Sequence, residues 1–410
     1  MTTVLETRCC IAGGGPAGMM LGFLLARAGL DVIVLEKHAD FLRDFRGDTI
    51  HPSTMELFHE LGLLEEFLQL PVARTERIAM TIGGETIPVV NLTRLKVQAP
   101  FMAMAPQWEF LNFVERKARA YRGFHLMMET EATDLIREGD RIAGVRATSP
   151  EGELEIRAHL TVACDGRHSV LREKAGLKVK DLGAPLDVFW FRLSHQPADG
   201  EETGAFVDGG GMLVSLYRNT YWQCAHVISK GAADAIRAEG LPAFRERIGK
   251  LAPMFAARMD EVTSWDDVKL LSVRVDRLEQ WWREGLLCIG DAAHAMSPMG
   301  GVGVNLAVQD AVAAANLLWR PLANSNVTGS DLARVQKRRA WPTGVVQSVQ
   351  VFGQNNFVAP TLQARGRVRA PWILRHIQSI PILRDIPANV FAMGVRPEHV
   401  ESPDDGEGKR

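Results

Sequence analysis

Apolar positions change period several times along this chain. Residues 7–12 form a short apolar run that ends in Gly13-Gly14-Gly15-Pro16. Residues 19–28 carry apolar side chains at helical spacing until Gly29, and residues 31–35 are a β-branched run closed by Glu36. Short apolar runs bounded by glycine read as buried strands and the longer one as a helix. The stretch therefore predicts a right-handed strand–turn–helix–strand unit. Residues 51–69 repeat Leu57, Leu61, Leu64 and Leu68 behind Pro52, the spacing of one face of an amphipathic helix. Residues 77–90 read as a hairpin around Gly83-Gly84, and residues 109–121 are helical again.

Residues 130–164 alternate short strands with polar turns, a small antiparallel meander. Residues 186–273 differ in kind. Strand-like stretches at 188–193, 212–217, 221–228 and 268–275 hold several aromatic residues and enclose one charged helix at 231–252. They predict a separate sheet domain. After Leu286 the pattern returns to strand, glycine-rich loop and helix (306–318), then stays mostly helical to about Val395. The polar tail from Glu401 is expected to fray in solvent.

Composition narrows the class. At 410 residues, two domains with a helical extension fit better than one core. Hydrophobic residues make up 46% and charged residues 23%, as in ordinary globular proteins. A formal charge of −2 gives no pull towards nucleic acid. Arg27 breaks the longest early apolar run, so no integral membrane span is expected, and Glu6 and Arg8 are unlike a signal peptide. Cys9, Cys10, Cys164, Cys224 and Cys288 lack metal-ligand spacing and suit free thiols in a reducing cytoplasm.

Three motifs carry candidate chemistry. The first is Gly13-x-Gly15-x-x-Gly18, between a strand and a helix, with Pro16 and Ala17 inside it. Gly13 permits the tight turn, Gly15 lets backbone approach a pyrophosphate, and Gly18 allows close helix–strand packing. The helix N-terminus adds N–H donors and a positive dipole end. Glu36 ends the next strand 18 residues beyond Gly18, where a carboxylate can accept from adenosine ribose hydroxyls. The second motif, Asp165-Gly166-x-x-Ser169-x-x-Arg172, reads on its own as a turn with Ser169 as a helix cap. The third runs Gly290-Asp291-Ala292-Ala293-His294, then Pro298, Gly300-Gly301, Gly303, Asn305 and Asp310, and predicts a second strand–loop–helix crossing at a dinucleotide. His51, His226 and His294 read as packed or capping residues rather than bases.

In this order and at these separations the motifs resemble the FAD-dependent aromatic hydroxylases, the single-component flavoprotein monooxygenases of the p-hydroxybenzoate hydroxylase fold. The resemblance implies an α/β protein: a Rossmann-like FAD-binding domain, an inserted mixed β-sheet substrate domain and a C-terminal helical extension. It divides the chain into FAD-binding parts at 1–75, 101–180 and 277–345, a substrate-side hairpin at 76–100 and a substrate sheet at 181–276. C-terminal helices follow at 346–400 and a flexible tail at 401–410. The implied FAD contacts are Gly13, Gly15, Pro16, Ala17, Gly18, Glu36, Lys37, Arg46 (with Arg43 as a weaker alternate), Gln107, Asp165, Gly290, Asp291, Gly301, Gly303, Val304 and Asn305. Asp291 matches the residue on the ribityl chain, and Pro298 would place a backbone carbonyl near the flavin and the attacked carbon. A glutamine frequent in relatives' loops is here Val302.

The implied reaction uses NADH or NADPH, O2 and a flavin C4a-hydroperoxide to hydroxylate an electron-rich ring, with no side-chain nucleophile. Trp190, Met212, Leu213, Tyr217, Trp222 and Val273 are candidate pocket walls, although alternation turns only half of any strand inwards. Few charges fall at inward-capable positions, which suggests a bulky, fairly apolar phenol, quinolone or polyketide; Arg192 and Arg218 are the residues that could change this. Arg365, Arg367, Arg369 and Arg375 around Pro371 and Trp372 read as a basic segment packed on the FAD domain rather than a membrane or partner contact. The resemblance also suggests a homodimer. The alternatives are an FAD-dependent reductase similar to geranylgeranyl reductases, and a non-catalytic FAD-binding protein.

Overall fold

Two sheets organise the molecule, and the computed structural model describes residues 3–42, 49–372, 375 and 385–405. In the first sheet Thr3–Ala12 lies at the centre, parallel to Gly152–Ala163 on one side and Val32–Leu35 on the other. Leu286–Cys288 and Phe124–Met127 extend it in parallel at either flank. The predicted meander is the hairpin Glu131–Glu138/Arg141–Ser149, whose second strand pairs antiparallel with Gly152–Ala163. These strands are apolar on both faces because helices cover both. Pro16–Arg27 and Gly303–Ala323 pack on each other and are largely buried.

The second sheet has seven strands. Leu186–Ser194, Tyr221–Ser229 and Gly211–Tyr217 form its antiparallel centre, with Lys269–Leu271 at one edge. Gly204–Asp208, which the sequence reading missed, pairs parallel with Arg77–Ile82, so the hairpin Arg77–Asn91 completes this sheet. Two short antiparallel ribbons join the sheets: Ala73–Thr75 with Met102–Met104, and Val179–Asp181 with Asp276–Leu278. Each ribbon pairs a strand leaving the first sheet with one returning, which fixes both crossings side by side.

Four expectations are corrected. The helix expected at 51–69 is two, Pro52–Glu60 and Leu64–Phe67, because Gly62 takes φ +70° between them. The charged helix at 231–252 likewise divides at Gly240, φ +90°, into Ala233–Ala238 and Leu241–Leu251. The tail does not fray as far as Asp405. Arg27 donates to the carbonyls of Ser402 and Pro403 (2.8 and 3.1 Å), and Tyr121 Oη donates to Asp404 (3.2 Å). The basic segment packs on the second sheet rather than the FAD domain. There Arg367 donates to Gly83 O (2.8 Å), Arg375 pairs with Glu85 (2.7 Å), and Ala370 joins Ile82, Ile87 and Val207.

The segment Met299–Ala323 has the length and mean apolarity of a bilayer-crossing helix. It is instead mostly buried as a core helix and carries Asn305, Gln309 and Asp310 inside the protein.

Two buried histidines make stability pH-dependent. Burial lowers His51 and His226 from the usual 6.5 to about 4, against weaker support from backbone bonds to Phe391 and Met212. Both are neutral in the fold between those values and would bind protons on unfolding, so stability is full above pH 6.5 and is lost as pH falls towards 4. Unfolding free energies from urea titrations should drop through this window, by up to about 1.4 kcal/mol per pH unit for each histidine. His226→Gln should flatten the slope, and an unchanged slope would remove His226 from this account.

Candidate active site

The strand ends of the first sheet bring the motifs together. Leu35, Ala12, Ala163 and Cys288 stand in one registered row across four parallel strands. Glu36, Gly13, Asp165 and Gly290 follow within two residues of that row. All three motifs therefore open at the carboxyl end of the sheet, where open α/β sheets bind ligands.

At the glycine loop each position has a distinct reason. Gly13 takes φ +110°, and a Cβ there would lie 2.3 Å from Cys164 O. A Cβ on Gly18 would lie 2.0 Å from Gly13 O. A Cβ on Gly15 would meet nothing within 4 Å, so this side of the loop is an open cradle. Gly15 caps the Pro16–Arg27 helix without a side-chain bond, and neither Pro16, Ala17 nor any other first-turn residue is acidic. The helix end is thus left for an anion. Glu36 is buried and folds back over the loop, accepting from Gly14 N and His38 N, both at 3.1 Å. Lys37 pairs with Glu131 at the surface (3.5 Å), so its side chain lies away from this cradle. Gln107 opens the helix Gln107–Ala118, which packs on Pro16–Arg27.

Asp165 caps the helix Val170–Lys174 together with Ser169: its Oδ2 accepts from Leu171 N (3.2 Å), and Ser169 Oγ accepts from Arg172 N (3.1 Å). The capping role and the site role coincide. The other oxygen, Oδ1, is buried without a partner, and burial pushes the carboxyl pKa up against the hydrogen bonds that lower it. Such an acceptor suits a hydroxyl donor. Asp291 remains partly exposed, 3.6 Å from Arg167 of the second motif.

The third motif's loop ends in the helix Gly303–Ala323, again with no side-chain cap and no acidic first-turn residue. A Cβ on Gly303 would meet open space, whereas one on Gly301, φ +61°, would press on Thr49. Gly290 is held between Ala17 and Ala307, so the two cofactor helices meet at small residues. Val304 is buried in the core. The Asn305 side chain is fully engaged within the protein. Its Oδ1 accepts from His51 N and Thr54 Oγ1 (both 2.8 Å), and its Nδ2 donates to Thr49 O and Gly301 O (3.0 and 3.2 Å). A saturated amide leaves its backbone N–H to a cofactor. Pro298 O accepts from Gly301 N (3.1 Å), which closes the loop as a tight turn. Arg46 and Arg43 lie outside the described residues.

Strand register decides the substrate-side candidates. Trp190, Met212 and Val273 lie on the face that packs with Met299, one residue past Pro298. Leu213, Tyr217 and Trp222 lie on the opposite face, with Phe189, Phe191 and Cys224 against the helices around Phe244 and Phe255. Trp222 stacks edge-on with Phe255 (5.7 Å) and donates to Asp199 (3.0 Å). These three are core residues of the second sheet, because the strand period of two turns them away from the loop.

The glycine cradles, the uncapped helix ends and the orphaned Asp165 oxygen fit a dinucleotide such as FAD. Residues 6–348 match the family model described as the FAD binding domain. The chain belongs to the FAD-dependent aromatic hydroxylases. A 6-methylpretetramide 4-monooxygenase of Streptomyces rimosus is 30% identical over 369 residues, 89% of this chain and 87% of that one. A para-nitrophenol 4-monooxygenase of Pseudomonas sp. strain WBC-3 is 25% identical, covering 78% of this chain and 79% of its own. The crystal structure of p-nitrophenol 4-monooxygenase PnpA from Pseudomonas putida DLL-E4 shares the fold, with a TM-score of 0.78 at 20% identity, covering 96% of this chain and all of that one.

In this hydroxylase the sequence reading missed what holds the third motif in place. Asp310 is fully buried, and its Oδ2 accepts from Gly290 N (3.0 Å) and bonds His294 Nε2 (2.5 Å). Burial would raise its pKa, but His294 and Arg339 hold it low. Arg339 donates Nε to Asp310 Oδ1 (2.9 Å) and Nη1 to Glu398 (3.0 Å), and Arg338 also pairs with Glu398 (2.8 Å). The chain's last described stretch therefore reaches the Gly290 backbone through two ionic steps. His294 is buried and its ring is bonded to Asp310. Asp310 stood inside the recognised motif, but nothing local to Glu398 marks it.

Gly15→Ala and Gly303→Ala should each fold normally and bind FAD about tenfold more weakly or worse, a change of about 1.4 kcal/mol or more, by fluorescence titration. Wild-type affinity in both would place the cofactor elsewhere. Glu398→Gln removes one carboxylate from Arg339 and should also weaken FAD about tenfold, acting through Arg339 and Asp310. Lower thermal stability with unchanged FAD affinity would make the C-terminal segment a structural brace only.

Proposed function

We propose that this hydroxylase uses NADH or NADPH and O2 to hydroxylate a bulky, fairly apolar aromatic of phenol, quinolone or polyketide type. One observation carries the substrate class: the sheet face against the Pro298 loop is apolar, built by Val188, Trp190, Met212, Val214, Val227 and Val273. A small carboxylate substrate would call for an arginine clamp. On the central strands of that face, Arg192 is exposed with its guanidinium 5.0 Å from the Tyr221 ring centre. Arg218, just past the strand, is buried and donates to Gln223 (3.1 Å).

Bound FAD supplies the redox chemistry that the side chains lack. Overall, NAD(P)H, a proton, O2 and the arene give NAD(P)+, water and the phenol, one oxygen atom going to each oxygen-containing product. The chain's share is placement. The Gly13–Gly18 loop and helix end hold the pyrophosphate, Glu36 the adenosine ribose, and Asp165 and Asp291 the hydroxyls nearer the ring. Gly301, Gly303 and the backbone of Val304 and Asn305 admit the flavin edge, and the second sheet excludes water and aligns the substrate. The relative acting on 6-methylpretetramide supports a large ring system over a single ring, and it covers more of this chain than the para-nitrophenol enzyme. The free thiols and family resemblance support a homodimer working in a reducing cytoplasm.

The deciding assay follows NADH and NADPH oxidation with 6-methylpretetramide, a fused polycyclic phenol, a quinolone and p-nitrophenol, quantifying peroxide and labelled oxygen from O2 in product. A fused-ring compound should stimulate oxidation most and gain one labelled oxygen. Preference for p-nitrophenol would overturn the substrate class, and reduction of a compound without oxygen incorporation would favour a reductase.

A further inference from the structure

Three glutamines stand in a stripe at the end of the long helix Gly329–Gly353 and the π-helical turn Gln354–Val358 that continues it. Gln347, Gln350 and Gln354 are spaced three and four residues apart, so they share one helix face. All are buried, with 1%, 4% and 0% of their surface exposed. Every side-chain NH2 group points at the segment leading to Pro298. Gln347 Nε2 donates to Asp276 O and Ala295 O (2.9 and 3.1 Å). Gln350 Nε2 donates to Ser297 O and Met299 O (3.1 and 2.8 Å), the carbonyls on either side of Pro298. Gln354 Nε2 donates to Ser297 Oγ, which itself accepts from Met299 N (3.2 Å).

The arrangement costs stability. The Oε1 atoms of all three are buried and without a hydrogen-bond partner. Each unmade bond of this kind is destabilising, and a leucine or methionine would fill the same space without it. Three such costs in one stripe are the pattern expected where backbone placement matters more than stability. The same stretch also sends Val351 and Phe357 into the apolar cluster where Met299 meets the second sheet. It therefore fixes the Pro298 loop and the sheet face relative to each other.

We infer that Gln347, Gln350 and Gln354 are positioning residues, which fix the Pro298 loop against the sheet and so set how much O2 is used for hydroxylation rather than released as peroxide. They act through the backbone of Ala295–Met299 and not by binding the cofactor. The inference rests on the proposed hydroxylase reading, so its test has one arm that needs no substrate.

In the apo-protein, Gln350→Met should raise hydrogen exchange of the Met299 and Gly301 amides about tenfold, with other core amides unchanged. In the FAD-loaded enzyme, product formed per NAD(P)H should fall about tenfold and peroxide should rise to match, with FAD affinity within about twofold of wild type; tenfold corresponds to the loss of about one 1.4 kcal/mol restraint. Gln350→Leu, which likewise removes both donated bonds, should behave like the methionine variant. Should Gln350 variants fold poorly, Gln354→Met loses a single bond and should show a smaller loss of coupling, about threefold. Wild-type exchange and wild-type coupling in these variants would overturn the inference, as would FAD affinity falling in step with thermal stability. If the wild-type enzyme hydroxylates nothing, the functional reading fails while the exchange experiment still decides whether the glutamines hold the loop.

Discussion

The register of the central parallel strands is the constraint on which the site depends. Leu35, Ala12, Ala163 and Cys288 come from segments far apart in the chain, yet they end level with one another. Slipping one of these strands by a residue would exchange its buried faces and displace its motif from the row. That makes the glycine constraints cooperative. Gly13 can approach Cys164 O so closely only because the two strands end level, and Gly18 can close on Gly13 O only because Gly13 turns as it does.

A second layer of order is ionic. Asp310, Arg339 and Glu398 are all buried, where an isolated charge would be costly, and each is paired and hydrogen-bonded. The network spans three separate segments and ends on a backbone N–H of the Gly290 loop. A parallel lash holds the second motif: Arg172 grips Asp276 at 3.3–3.4 Å and donates to Ala292 O at 3.2 Å. The glycine-rich loops, which carry little side-chain packing of their own, are thus fixed by charge pairs anchored elsewhere in the core.

The fold was legible wherever one residue type answers one local demand. Glycine at a positive φ, an uncapped helix start and an acidic residue closing a strand were all readable at Gly13, Pro16 and Glu36, and each lies where the motif required. The motif position of Asn305 is informative in the sequence, while the partners of its side chain are not. Its bonds to Thr49, His51 and Thr54 involve residues about 250 positions away. The tail from Glu401 reads as solvated from its Pro, Asp, Glu, Gly and Lys content, yet Arg27 and Tyr121 supply partners for Ser402 and Asp404.

The sequence by itself determined the order of motifs, the dinucleotide chemistry and the alternation of residues along each strand. These depend on backbone conformation and on hydrogen-bond donors only a few residues apart. Tertiary structure alone decided which alternate face meets the Pro298 loop, and so separated Trp190, Met212 and Val273 from Leu213, Tyr217 and Trp222. It alone revealed the glutamine stripe and the reach of Glu398. A period of two fixes that neighbouring side chains point oppositely, but only the packing of one sheet against another element says which direction is inward.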